Sequence, residues 1–197
     1  PPPPPPPPPF FLNAYPAIRD SSTSRGLGDV YKRQVWVTGE GFQRVANDTQ
    51  PPSAWGELPL GGARSFEAAH GLLPPRLRRQ GIRIVISDLF WPGDPLPTLR
   101  KLTEGAAAVT LVQLLAPSDL EPPKPGNVQL EDSETGETLS LYIDTTIQEQ
   151  YRKTLQRLQQ SWDHAAQQTG AELVTLIADN IQGSLRSLEE CRTLEPA

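Results

Sequence analysis

The stretch that most constrains this chain is Gly81-Ile82-Arg83-Ile84-Val85-Ile86-Ser87-Asp88-Leu89-Phe90. Four of its residues are β-branched, a glycine opens it, and polar residues stand near its end. Such a run predicts a strand covered on both faces, as in a largely parallel α/β sheet. Arg83 is the one charge in the run; near the strand's entry end, its long side chain is expected to reach water. Ser87 and Asp88 close the strand at its carboxyl end, the edge outside which open α/β sheets bind their ligands. Asp88 is therefore the best-placed carboxylate in the sequence. The same position suits a residue that caps the following turn or helix.

Composition narrows the function classes. The formal charge is −5 over 197 residues, which gives no broad basic surface for nucleic acid. One cysteine, Cys191, allows no internal disulfide framework and fits a reducing compartment or simple indifference to compartment. His70 and His164 stand far apart, with no zinc-ligand spacing and no phosphate-binding glycine loop. No run approaches the ~20 apolar residues of a membrane span, and a cytoplasmic location is expected, with a membrane anchor upstream left open.

Residues 1–34 read as foreign to the domain. Residues 1–9 are all proline, a sequence that forms an extended polyproline rod without a core. Thr23 to Gln34 resembles translated adaptor sequence, and no methionine occurs anywhere. The segment is expected to be disordered and non-native, and it is set aside from fold reasoning. A proline-rich arm for an aromatic groove is the competing reading. Residues 35–197 then form one partial domain.

Within that domain, Val35–Thr38 and Phe42–Val45 flank Gly39-Glu40-Gly41 and predict a hairpin. Arg64–Leu73 predicts a helix with Phe66, Ala69 and Leu73 on one face, ended by Pro74-Pro75. A helix from Leu96 to Thr103 leads to a second buried strand, Ala108–Leu115. An irregular proline-rich loop follows, from Pro117 to Gly126. Val128–Asp132 and Thr138–Ile143 alternate apolar and polar around a glycine turn, an exposed hairpin with one packed face. The longest helix, Thr145–Thr169, has a stripe of Ile147, Tyr151, Leu155, Leu158 and Trp162; a Thr145–Gln148 capping box is expected to start it and Gly170 to stop it. Ala171–Ala178 is a third strand. Ser184 opens a last helix with Leu185, Leu188, Cys191 and Leu194 on one face.

The alternation calls for an α/β fold of three layers with a mostly parallel sheet. The succession resembles the von Willebrand A fold, and more closely the carboxyl-terminal part of the bacterial domain-of-unknown-function 58 family. The carriers are the hairpin around Gly39–Gly41, the strand ending Ile86-Ser87-Asp88, the Leu130–Glu137 hairpin turn, and the long helix before Leu173-Val174-Thr175-Leu176. The resemblance spans residues 35–197. It implies a sheet order 3-2-1-4-5-6, with the first, central strand missing at the amino-terminal end and the second hairpin inserted.

The resemblance also implies a role. Members of that family are usually encoded beside MoxR-type AAA+ ATPases and are thought to assemble or mature protein complexes with them. The expected function is thus a non-enzymatic protein-interaction module whose partners are the ATPase and protein clients. The alternative is a metal-dependent, hydrolase-like enzyme using Asp88. A von Willebrand A domain holds a divalent cation such as Mg²⁺ through an Asp-x-Ser-x-Ser loop, a Thr and a late Asp. Only Asp88 matches. The Thr loop falls at Gly61-Gly62-Ala63, with Ser65 the nearest hydroxyl, and the first loop is absent. No catalytic or cofactor-binding residue is assigned, and Asp88 stands as an incomplete metal ligand.

Overall fold

The computed structural model describes residues 10–14, 33–38, 41–48, 54–55, 58, 66–91, 93–131 and 138–178. Eight strands and four helices alternate along these residues: β1 (Phe10–Ala14), β2 (Gln34–Thr38), β3 (Phe42–Arg44), α1 (Phe66–Leu72), β4 (Ile82–Ser87), α2 (Pro95–Thr103), β5 (Ala108–Leu115), α3 (Pro117–Leu120), β6 (Gly126–Glu131), β7 (Thr138–Ile143), α4 (Thr145–Thr169) and β8 (Glu172–Ile177). Six strands form one sheet in the order β3-β2-β1-β4-β5-β8, and β6 pairs with β7 apart from it.

The α/β expectation holds. β4, β5 and β8 are parallel neighbours, with Val85 opposite Leu111 and Leu111 opposite Leu173. β1 runs antiparallel to both β2 and β4, so β2 shares the direction of β4, and β3 runs against it. The expectation of a vacant central position is corrected here, as is that of a segment outside the sheet for residues 10–14. Phe10–Ala14 lies between β2 and β4, with Phe11 opposite both Trp36 and Val85. The physical reason is the one that made the vacancy costly: an unpaired strand edge is a template for any extended segment, and Phe10-Phe11-Leu12 is an apolar run in front of β2. The proline run and most of the adaptor-like stretch lie outside the described residues.

The main core lies on one face of the sheet. There Val85 and Leu111 meet Phe66 and Ala69 of α1, Leu99 and Leu102 of α2, and Trp162, Ala165 and Ala166 of α4. The opposite face has two smaller clusters, Val35–Val37–Val45 beside Trp55 and Leu58, and Val112–Val174–Leu176 beside Ile84 and Ile86. Ile82, Ile84 and Ile86 are only half-buried, whereas Arg83, Val85 and Ser87 are buried. β4 is thus fully covered on one face among the described residues. The helix expected from Ser184, with Cys191, lies outside them.

Several side chains depart from expectation. Arg83 does not reach water: it is 5% exposed, and its guanidinium donates to the carbonyls of Leu102 and Arg78. It satisfies a backbone oxygen in the last turn of α2, where a cation is favourable. Leu73 follows α1 and is exposed, so the α1 face reduces to Phe66 and Ala69. Helix α4 starts at Asp144 rather than at a Thr145–Gln148 box, and Asp144 Oδ1 accepts the Ile147 N–H at 2.8 Å. A carboxylate one residue earlier captures that donor with the benefit of the helix dipole. Gly170 ends α4 in the left-handed region at φ 69°, as its position predicts. Of the α4 stripe only Trp162 is fully buried; Ile147 is exposed and Tyr151, Leu155 and Leu158 are half-buried. The loop after β5 contains one short helical turn, α3.

Asp48, which sequence patterning did not single out, fixes the chain after β3. Its carboxylate accepts from Arg44 at 2.7 and 3.0 Å and from the Val35 N–H at 3.1 Å. Burial pushes its pKa up, but these hydrogen bonds outweigh it and hold the carboxyl below its ordinary value.

Candidate functional site at the carboxyl ends of β4, β5 and β8

Asp88 stands where the sequence places it, at the carboxyl end of β4, and it is 7% exposed. Its Oδ1 accepts the Phe90 N–H at 3.2 Å and the Ser87 hydroxyl at 3.3 Å. Ser87 Oγ in turn accepts the Leu89 N–H at 3.1 Å. Both side chains thus cap the turn that leaves the strand, and Asp94 rather than Asp88 caps α2, accepting the Leu96 N–H at 2.9 Å. The turn carries backbone strain. Leu89 has φ 60°, a region costing a non-glycine residue roughly 1–2 kcal/mol.

Packing and hydrogen bonds hold that turn. Leu89 is fully buried, and its carbonyl accepts Trp162 Nε1–H at 2.9 Å. Trp91 stacks on Phe66 at 5.5 Å and meets Trp162 edge-on at 5.2 Å. Across the sheet, Gln113 Nε2 donates to the Asp88 carbonyl at 3.0 Å, and its Oε1 accepts the Thr175 hydroxyl at 3.0 Å. Gln113 therefore ties together the ends of β4, β5 and β8. One signal for it exists in the sequence: it is the polar residue near the carboxyl end of the apolar Ala108–Leu115 run.

A second carboxylate, Asp119, comes from α3. Its Oδ2 accepts the Ala116 N–H at 2.7 Å, and its carbonyl accepts the Tyr151 hydroxyl at 2.8 Å. Burial pushes Asp88 up to about 6; the hydrogen bonds from Phe90 and Ser87 oppose this, and the Asp119 charge adds to it. Burial and the same charge raise Tyr151. Asp88 and Asp119 lie 31 residues apart, and Asp119 falls in a proline-rich stretch without periodicity, so sequence patterning gives no reason to pair them.

The donor set does not make a Mg²⁺ site by itself. That ion demands near-octahedral oxygen geometry, yet one Asp88 oxygen is engaged by the turn. Among the described residues no group of three or more metal-ligating side chains occurs. Gly61, Gly62, Ala63 and Ser65 lie outside the described residues. His70 is packed on Phe66 and Phe42, and His164 is exposed beside Gln168; among the described residues neither is hydrogen-bonded to Asp88. No helix among the described residues is long and apolar enough to cross a membrane.

A mixed α/β sheet with a capped acidic turn at its carboxyl edge defines the class. The family described as "Protein of unknown function DUF58" matches residues 44–161, and the chain belongs to it. An uncharacterized protein of Mycobacterium avium is 29% identical over 124 residues, covering 61% of this chain and 71% of that protein. Uncharacterized proteins of Mycobacterium bovis and Mycobacterium tuberculosis are each 28% identical over 123 residues, covering 62% of this chain and 38% of theirs. The match thus spans well under half of the longer relatives. No solved structure matches.

Proposed function

We propose that the chain is a non-enzymatic protein-interaction module that works with a MoxR-type AAA+ ATPase in assembling or maturing protein complexes. The observation that carries the non-enzymatic part is the use of Asp88. The one well-placed carboxylate accepts the Phe90 N–H and the Ser87 hydroxyl, and so serves the turn. Family membership supports the ATPase partnership as part of this proposal, which also takes protein clients, no nucleic acid and a cytoplasmic site of action. The net charge of −5 supports a protein partner, because an acidic surface gains nothing from counterion release on nucleic acid. The test is co-purification and titration of this chain against the AAA+ ATPase encoded beside its gene. A saturable complex is expected; no complex, with or without nucleotide, overturns the proposal.

One observation favours a second reading. A carboxyl that burial raises to about 6 is suited to proton transfer near neutral pH. A hydrolase-like activity at Asp88, assisted by a divalent cation in the intact protein, is measured as turnover of aryl ester and aryl phosphate substrates with and without Mg²⁺. Turnover abolished by Asp88→Asn establishes it; turnover unchanged by that substitution removes it.

A further inference from the structure

A small cavity lies beside the turn that follows β4, between the starts of α1 and α2. Its volume is about 60 Å³, and its walls include the rings of Phe66, Trp91 and Trp162. The rings hold one another: Trp91 stacks on Phe66 and meets Trp162 edge-on. The Trp162 indole N–H is already committed to the Leu89 carbonyl. The polar side chains of the lining are Glu67, Asp94 and Thr98, and all three present oxygen acceptors. No basic side chain among the described residues lines the cavity. Asp94 uses Oδ1 for the Leu96 N–H, and among the described residues its second oxygen carries no hydrogen bond. Thr98 is 3% exposed, yet its hydroxyl has no hydrogen-bond partner among the described residues. A helical threonine can donate to the carbonyl four residues back, as Thr103 and Thr169 do. Thr98 does not, so its hydroxyl takes a partner from whatever occupies the cavity.

Size and charge select the occupant. One water needs roughly 10–15 Å³ of such space, so the cavity admits a group of a few non-hydrogen atoms. Two carboxylates repel anions, and aromatic faces attract cations. Divalent metal ions favour a shell of oxygens, which the rings cannot supply. An alkylammonium matches what is left: three donors, no acceptor and an apolar stem. We infer that this cavity binds a primary alkylammonium, with its N–H donors on Asp94, Glu67 and Thr98 and its stem against the rings. One ammonium of the chain already stands at the rim. Lys101 Nζ pairs with Glu67 Oε1 at 3.3 Å, and the two side chains are 40% and 51% exposed. An ion pair so exposed is weak, so Lys101 acts as a tethered competitor for the same carboxylate. The inference goes beyond the interaction-module reading and is independent of it, since a free amine and the Lys side chain of a protein offer the same chemistry.

The test is a titration of the full ¹⁵N-labelled chain with n-butylammonium chloride, followed by NMR at the indole signals of its four tryptophans. The neutral match n-butanol and magnesium chloride are titrated alongside. Butylammonium is expected to shift the Trp91 indole saturably, and butanol and Mg²⁺ are not. Asp94→Asn keeps a good cap for α2 and should weaken the amine about tenfold; Thr98→Val should weaken it about threefold. Lys101→Ala should tighten binding about threefold, whereas Arg100→Ala, with the same change in net charge, should alter it less than about 1.5-fold. The exposed Lys101 variant keeps the test valid if a change in the lining disturbs folding. A blocked Gly-Lys-Gly peptide separates the two sources. Binding at least as tight as that of butylammonium assigns a protein lysine, and weaker binding or none assigns a free amine. An equal shift from butanol, or no saturable shift of Trp91 with either amine, overturns the inference. So does an affinity left unchanged by both Asp94→Asn and Lys101→Ala.

Discussion

Two buried carboxylates give opposite pH signatures. Asp88 is raised to about 6 by burial, so the native state binds its proton more tightly than the unfolded chain does. Its contribution to stability is most favourable below the unfolded value, near 4, and is lost as pH rises through about 6; the loss is on the order of 2–3 kcal/mol. Asp88→Asn keeps an acceptor for the Phe90 N–H and carries no charge. It is expected to raise the melting temperature at pH 7.5, with little change at pH 4.5, as calorimetry at both pH values can measure. Asp48 works the other way: its folded value is depressed, so its contribution is present above the unfolded value and is lost as pH falls through the folded one. Asp48→Asn removes the charge from the Arg44 pair, so it should lower the melting temperature at pH 7.5 and matter least in acid. If both variants shift stability in the same direction at pH 7.5, the assignment of opposing roles is wrong.

At the scale of elements, Trp162 joins α4 to the strained turn after β4. Trp162→Phe retains a ring against Trp91 but leaves the buried Leu89 carbonyl without its donor. A loss of about 1–3 kcal/mol in denaturant unfolding is expected, along with weaker protection of the Leu89–Trp91 amides from hydrogen exchange. Stability equal to the parent chain would mean that the hydrogen bond does not hold the turn. Strands β4, β5 and β8 and helix α4 were legible in the sequence because buried parallel strands and long amphipathic helices write their periods into every few residues. What patterning missed was the partner of each polar group. Arg83 reads as a snorkelling charge until α2 is placed beside it, since its acceptor, Leu102, is 19 residues away. Patterning places the α4 cap one residue late because Thr145 and Asp144 are both good caps, and only geometry chooses between them. Asp88 was legible as the end of an α/β strand. Gln113 shows only as a polar residue in an apolar run, Trp162 only as part of the α4 stripe and Asp119 not at all, because what links them to its turn is tertiary.

At the scale of the whole molecule, the sheet depends on which segment stands between β2 and β4. Phe10–Ala14 pairs along both strands, from Phe10 opposite Val37 and Ile86 to Asn13 opposite Gln34 and Arg83. Without that strand, the facing edges of β2 and β4 are left with unpaired backbone groups, and Val85, Leu111 and Phe66 lie just behind them in the core. An open apolar edge recruits other chains, and losing one central strand removes contacts comparable to the roughly 5–15 kcal/mol that stabilise a domain. Residues 35–197 expressed alone are therefore expected to aggregate or to melt without cooperativity, while the full chain melts as one transition. Size-exclusion chromatography with scanning calorimetry on both chains measures the difference. A further chain in which Phe11 is replaced by Pro isolates the strand itself, since proline cannot donate to a ladder and is excluded from central strands. It should behave like the shortened chain. Cooperative, monomeric melting of all three would show that β1 contributes nothing to the fold and that β2 and β4 close the sheet without it.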